Sequence, residues 1–353
     1  MSEFFSSKYS KLAPYVPGEQ PKEKKYIKLN TNESPFAPSP RAVEYGNAAL
    51  KGVQLYSDPE CTAVTNAIAD DLGVEFENVL TSNGSDEVLN FAFMAYCDKD
   101  NPAIFPDITY GFYKVFAGIN NLPYEEIPLK EDFSVSVDDY IGKSGTVFIA
   151  NPNAPTGLNL PLSEIERLVS SNQKRVVVID EAYVDFGGES AVNLTKKYKN
   201  LIVTRTFSKS RSMAGARLGF CVADKGLIAD LKAIKYSLNP YNVNSVTAAM
   251  GVGSVEDKDY FNQNCKKIIE NRIWAQNQLE SLGFTLTNSK ANFIFAKTDK
   301  ISGENLYLKL KDKGILVRHF DKPRIKEYNR ISVGSAEEMK AFISAVKSIL
   351  ENK

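Results

Sequence analysis

Histidine is almost missing from this chain: His319 is the one imidazole among 353 residues. That excludes histidine-based metal clusters and argues against a Ser-His-Asp triad, leaving lysine, aspartate and tyrosine to carry any acid–base work. Cysteine is scarce as well. Cys61, Cys97, Cys221 and Cys265 lie far apart with no CxxC or metal-type spacing, so no disulfide framework or metal site is expected, only buried free thiols in a reducing compartment. Net charge is absent, with 43 Lys plus Arg against 43 Asp plus Glu. No long-range field draws such a chain to nucleic acid or an anionic membrane, and small-molecule chemistry is favoured. No apolar run is long enough to span a membrane, and residues 1–8 lack the basic start and apolar core of a secretion signal, so a cytoplasmic location is expected.

At this length two unequal domains can each bury a core. Residues 1–40 contain Pro14, Pro17, Pro21, Pro35, Pro38 and Pro40 among Asn, Ser and Lys, which predicts an extended arm lying across another surface. Over 41–254, helical stretches alternate with apolar runs at 145–150, 175–180, 201–204 and 218–223. Near-continuous apolar runs are what parallel strands covered on both faces by helices require. A polar helical stretch at 255–282 follows, with Tyr260, Ile268, Ile269 and Trp274 as an incomplete apolar stripe. The expected fold class is α/β: a large domain (41–254) with a mostly parallel central sheet flanked by helices, and a smaller α+β domain (255–353), with the arm (1–40) added to it.

The stretch Thr206-Phe207-Ser208-Lys209-Ser210-Arg211 follows the apolar run at 201–204, so Lys209 falls just past a strand end. A primary amine can form a Schiff base with an aldehyde, and flanking hydroxyls with Arg217 eight positions on suit a phosphate; a solvated basic loop has the same composition. The run 176–181 ends in Asp180 and Glu181, at the strand end where open α/β sheets take ligands. A helix cap or the metal-holding acid of a P-loop nucleotidase competes with that reading. The nucleotidase needs an upstream phosphate loop, and Gly142-Lys143-Ser144 has Val137 where the first glycine belongs and precedes a strand instead of following one. Residues 81–87, TSNGSDE, form a polar turn opening an apolar helix, where free N–H groups can hold a phosphate or simply begin a helix. Tyr110, after Pro106, can stack on a flat ring or pack in a core. NPNAPTG at 151–157 is an ordered turn.

In chain order these motifs resemble those of fold-type I pyridoxal-phosphate enzymes. Over nearly its full length the chain is similar to the histidinol-phosphate aminotransferase family of class I/II aminotransferases, through APY at 13–15, KLNTNESP at 28–35, YSDPEC at 56–61, PYNVN at 240–244 and RISVG at 330–334. The resemblance implies pyridoxal 5'-phosphate as cofactor, bound covalently by Lys209, with Asp180 facing the pyridine nitrogen, Tyr183 on the ring hydroxyl and Tyr110 on the ring face. It implies a phosphate cup of the Ser85 and Asp86 amides with Thr206, Ser208 and Arg217. Tyr56 would reach the phosphate of a neighbouring subunit, so a homodimer with shared active sites is implied. Tyr15, Asn32, Arg318 and Arg330 correspond to substrate contacts, arginine suiting phosphate and carboxylate through its planar fork. The implied reaction is a two-stage amino transfer between L-glutamate and imidazole-acetol phosphate, yielding L-histidinol phosphate, with no metal, nucleic acid or membrane involved.

One position departs from the family. Ala154 stands where many relatives carry an asparagine bonded to the ring hydroxyl, so Tyr183 serves that oxygen alone or Asn153 shifts to help. Two rivals share the cofactor machinery: an aromatic amino-acid aminotransferase, which the pair Arg318 and Arg330 does not separate, and a phospho-amino-acid decarboxylase. A binding protein that retains the fold without turnover is a third, and intact Lys209, Asp180 and Arg217 argue against it.

Overall fold

The computed structural model describes residues 2, 4–10 and 12–351 of the chain. The proline-rich arm is extended for most of its length, with one short 3-10 turn at Ser7–Tyr9 and a two-residue strand, β1 (Ile27–Lys28). The central sheet is built from β2 (Val79–Ser82), β3 (Ala103–Pro106), β4 (Tyr124–Ile127), β5 (Thr146–Ala150), β6 (Val177–Asp180), β7 (Leu201–Thr206) and β8 (Gly219–Ala223). Their spatial order is β2-β8-β7-β6-β5-β3-β4, and only β8 runs antiparallel to its neighbours. The apolar runs at 145–150, 175–180, 201–204 and 218–223 thus correspond to β5 to β8, with β7 two residues longer than expected.

Alternation along each strand sorts its side chains between two helical layers. Val177, Ile179, Leu201 and Val203 face a core completed by α2 (Thr62–Leu72), through Val64 and Ile68, and by α5 (Leu162–Ser171), through Ile165 and Leu168. Phe148, Val178 and Ile202 face the opposite core, filled from α3 (Ser85–Tyr96), α4 (Phe112–Ile119) and α6 (Lys225–Leu238). Helix α1 (Pro40–Ala49) starts as its sequence asks, with the Ser39 hydroxyl accepting from the Ala42 amide and Pro40 at the first helical position. It packs on α7 (Ser245–Glu256), where a Cβ on Gly253 would lie 2.6 Å from the Arg41 carbonyl oxygen.

The polar helical stretch is not continuous with what precedes it. Helix α7 ends at Glu256, and after Asp257 a new helix, α8 (Lys258–Ser281), begins. Its buried apolar residues are Cys265, Ile268, Ala275 and Leu279, whereas Trp274 is 37% exposed and lies off the stripe. The expected stripe followed residue size; the 3.6-residue period decides which positions face inward. Beyond it, β9 (Thr285–Leu286), β10 (Phe293–Lys297), β12 (Arg318–His319) and β13 (Asn329–Ser332) form an antiparallel sheet in the order β12-β13-β10-β9. Helices α9 (Gly303–Asp312) and α10 (Ala336–Glu351) enclose a separate core with it. The short strand β11 (Ile315–Leu316) pairs in parallel with β1, and Leu29 enters the same core, so the arm is stitched to this lobe.

Candidate active site

Strands β5, β6 and β7 end at one edge of the sheet, with Ala150, Asp180 and Thr206 as last residues. A cavity opens there, lined by those three and by Ser85, Asp86, Tyr110, Ala154, Ala182, Tyr183, Ser208, Lys209 and Arg217. Asp180 shares the face of Val178, toward α3 and α4, and this brings its carboxylate to the hydroxyl of Tyr113 at 3.2 Å. The Ala182 amide and the Thr204 hydroxyl donate to its other oxygen at 3.2 and 3.4 Å. Burial, with the negative charge of Asp86 adding to it, pushes the Asp180 carboxyl up to about 6, and those three donors hold it from rising further. Among the described residues no cation pairs with it.

Lys209 lies in the loop after β7. Its amine makes no hydrogen bond or ion pair among the described residues and stands 6.0 Å from the Tyr183 ring centroid. Burial, and then the Arg330 guanidinium, lower the amine to about 8. The Tyr183 hydroxyl accepts from Asn32 Nδ2 at 3.0 Å, and its ring packs edge-on to Phe293 at 5.1 Å.

The same cavity also presents a group of donors suited to an anion. Helix α3 begins without a side-chain cap, leaving its first amides free beside Thr206, Ser208 and Arg217. Gly219 is required here, since a Cβ on it would sit 2.3 Å from the Ser85 nitrogen; Gly84 has φ +82, and its Cβ would meet the Arg217 guanidinium at 2.7 Å. Arg217 itself holds φ +58, an uncommon backbone for a residue with a side chain and of the kind found where a site dictates geometry. Its guanidinium pairs with Asp86 at 3.1 Å, and the second Asp86 oxygen accepts from the Tyr110 hydroxyl at 2.8 Å.

The cavity continues into a wider cleft, walled by the arm, the small lobe and residues 105–111 of the large domain. Tyr15 stacks on Phe112 at 4.3 Å, and Arg318 donates to the Val16 and Pro17 carbonyls at 3.3 and 3.4 Å. Arg330 donates to the Asn30 carbonyl at 3.1 Å, leaving its buried Nε unpartnered. Neither guanidinium is paired with a carboxylate among the described residues. Asn32, at φ +56, is fixed by Ser332, whose hydroxyl accepts from the Asn32 amide and donates to its Oδ1.

The structure therefore gathers Ser85, Asp86, Tyr110, Asp180, Tyr183, Thr206, Ser208, Lys209 and Arg217 around one cavity and Tyr15, Asn32, Arg318 and Arg330 around its mouth. Tyr56 lies outside both, 85% exposed and stacked on Tyr241 at 4.6 Å. Asn153 does not shift toward the cavity: Nδ2 donates to the Ile108 carbonyl and Thr156 hydroxyl, both at 3.0 Å, while Oδ1 accepts from Thr109 at 2.8 Å. Ala154 remains as a bare wall. Sequence reasoning missed Tyr113; its place three residues after Tyr110, at the start of an aromatic-rich helix, is the signal that could have found it.

These donors match one kind of group. A buried carboxylate without a cation fits a protonated ring nitrogen, an unengaged amine fits an aldehyde, and the uncapped helix with two hydroxyls and Arg217 fits a phosphate, together the functional groups of pyridoxal 5'-phosphate. A mostly parallel sheet presenting them at its strand ends defines a fold-type I pyridoxal-phosphate enzyme. The profile of the family "Aminotransferase class I and II" matches residues 24–346. Curated proteins called histidinol-phosphate aminotransferase are similar from end to end: 46% identity with that of Brachyspira hyodysenteriae over 100% of both chains, and 47% with that of Acinetobacter baumannii over 98% of this chain and 96% of that one. Among solved structures, histidinol-phosphate aminotransferase from Sinorhizobium meliloti in complex with pyridoxal-5'-phosphate shares the fold at TM-score 0.91 and 21% identity, covering 100% of this chain and 99% of that one. The chain belongs to the class I and II aminotransferases, enzymes whose cofactor is pyridoxal 5'-phosphate.

Proposed function

We propose that the chain is a histidinol-phosphate aminotransferase, moving an amino group between L-glutamate and imidazole-acetol phosphate in histidine biosynthesis. The observation that carries this reading is the end-to-end similarity to proteins of that name. The pair Arg318 and Arg330, both without carboxylate partners among the described residues at the mouth of a cavity that fits pyridoxal 5'-phosphate, supports an anionic substrate but is shared with the aromatic rival. Bound cofactor supplies the aldehyde that carries the amino group and the ring that takes up electrons as the substrate α-proton leaves. Lys209 Nζ is the covalent anchor and afterwards carries the proton from the substrate α-carbon. Asp180 keeps the ring nitrogen protonated. Tyr183 holds the ring hydroxyl without help from position 154, its own hydroxyl oriented by Asn32. Arg330 and Arg318 grip the phosphate or carboxylates, with Tyr15 and the arm excluding water.

The test is a panel of half-reactions, following cofactor absorbance as histidinol phosphate, glutamate, phenylalanine and tyrosine are added separately. Rapid change with histidinol phosphate and glutamate is expected. Rapid change with phenylalanine and none with histidinol phosphate would make the protein an aromatic aminotransferase, and carbon dioxide release without use of a keto acceptor would make it a decarboxylase.

The depressed Lys209 amine carries its own expectation. Only the neutral amine attacks an aldehyde, so capture of pyridoxal phosphate by the cofactor-free protein should accelerate as pH rises toward about 8 and level off above it. Stopped-flow traces that keep accelerating to pH 10 would show an ordinary, unperturbed lysine.

The active unit in this reading is a homodimer with shared sites, in which Tyr56 reaches the partner's cofactor phosphate. Its exposure supports this, as do exposed Leu50, Val53, Leu55 and Leu238, which lie within six residues of Tyr56 or Tyr241 in the sequence. Sedimentation should give twice the chain mass of 39.2 kDa, and a monomeric mass in active samples would end the shared-site assignment. We take 1–40, 41–254 and 255–353 as arm, cofactor-binding and closing units. The four cysteines are buried and free, in keeping with a cytoplasmic enzyme. No helix among the described residues is long and apolar enough to cross a membrane.

A further inference from the structure

The alternation that turns Asp180 and Thr206 toward the cavity turns Glu181 and Arg205 to the other side of the sheet. Beneath the site these two meet Asp185, from the 3-10 turn that follows Tyr183, and Ser210, next in sequence to Lys209. Arg205 Nη2 pairs with Asp185 Oδ1, and Arg205 Nε stands 4.0 Å from Glu181. The Ser210 hydroxyl donates to Asp185 Oδ2 at 2.5 Å. Glu181 accepts from the Ser190 hydroxyl and the Ala191 amide, each at 2.6 Å. Asp185 is therefore a hub, one oxygen on the end of β7 and the other on the loop that carries Lys209.

The Lys209 amine has no partner of its own among the described residues, so its direction is set by how its backbone is held. On one side Ser208 is tied to Thr206, its amide donating to the Thr206 hydroxyl at 3.1 Å. On the other side Ser210 is tied to Asp185. We infer that Ser210, Asp185 and Arg205 form a positioning network that aims the Lys209 amine at the cofactor aldehyde, an inference that rests on the reading of Lys209 as the covalent anchor. Partly buried charges tied in this way, the Arg205 and Asp185 side chains being 16% and 19% exposed, hold one geometry because each loses its partners if the loop moves. Sub-ångström aim matters for bond formation: a displacement of about 1 Å can reduce such a step by roughly 10²-fold.

The test separates aim from binding by using two ligands on cofactor-free protein. Pyridoxal 5'-phosphate can form the carbon–nitrogen double bond with Lys209, releasing water; pyridoxine 5'-phosphate has the same ring and phosphate with an alcohol in place of the aldehyde and cannot. Ser210→Ala removes one hydroxyl and leaves Asp185 paired with Arg205, so the fold is retained. Titrations of Ser210→Ala should show about tenfold weaker binding of pyridoxal phosphate, with pyridoxine phosphate within about twofold of the parent. Ser210→Thr, which keeps the hydroxyl, should retain the parent's ratio between the two ligands. A parallel loss of both ligands in Ser210→Ala, or no loss of either, overturns the inference. Lys209→Ala should abolish the parent's preference for the aldehyde. A parent with no such preference overturns the Lys209 assignment itself, and this inference with it.

Discussion

Lys209→Ala is expected to lower turnover by about 10⁴-fold or more and to abolish the absorbance of lysine-bound cofactor. In the proposed mechanism two losses combine in it: the covalent anchor and the group that moves the α-proton. No second primary amine lines the inner cavity, so nothing nearby can replace it. The fold should survive, since the amine makes no hydrogen bond or ion pair among the described residues. Its stability should even rise in the cofactor-free state. Burial holds the folded amine near 8, against an ordinary value of 10.5, so at neutral pH the unfolded chain favours the proton more than the folded one does. That penalty is full below about pH 8 and fades toward pH 10.5. Cofactor-free Lys209→Ala should therefore melt at or above the parent at pH 7, and added small amines should restore part of its turnover. Turnover within tenfold of the parent would remove Lys209 from the mechanism.

The strand-end residues were legible because apolar runs in an α/β chain fix where strands stop, and polar residues just beyond must face solvent or a ligand. Asp180 ends such a run, and Lys209 lies three residues past the end of β7. Residues whose importance comes from a distant partner were not. Tyr113 reads as core, and its ring is core; only the hydroxyl reaches Asp180, from a helix 67 positions earlier. Asp185 and Ser210 look like ordinary loop residues until the turn after β6 and the loop after β7 are seen side by side. The question at Ala154 turned on where the Asn153 amide points, which depends on Thr109, Ile108 and Thr156 from two loops. The break at Asp257 and the outward Trp274 belong to a helix whose long polar faces obscure its period.

Asp180→Asn is the sharper test of the chemistry, because the side chain keeps its shape and loses only its charge. Thr204 and the Ala182 amide can still donate to the amide oxygen that replaces the carboxylate. What disappears is the anion that, in the proposed role, would keep a facing ring nitrogen protonated. Without it the ring takes up electrons poorly, and kcat should fall on the order of 10²–10³-fold, the scale of losing one preorganised electrostatic contact in a buried site. Stability moves the other way. With its folded carboxyl raised to about 6 from an ordinary 3.8, Asp180 weakens the cofactor-free protein above that range, whereas below pH 3.8 it is protonated folded or unfolded and costs nothing. The melting advantage of cofactor-free Asp180→Asn should therefore appear between pH 4 and 6 and stay level above. Adding pyridoxal phosphate should reverse the order, because the parent gains a charge pair that the variant cannot make. If the variant keeps its advantage with cofactor bound, the ring nitrogen does not face Asp180, and the carboxylate is merely a buried cap at the end of β6.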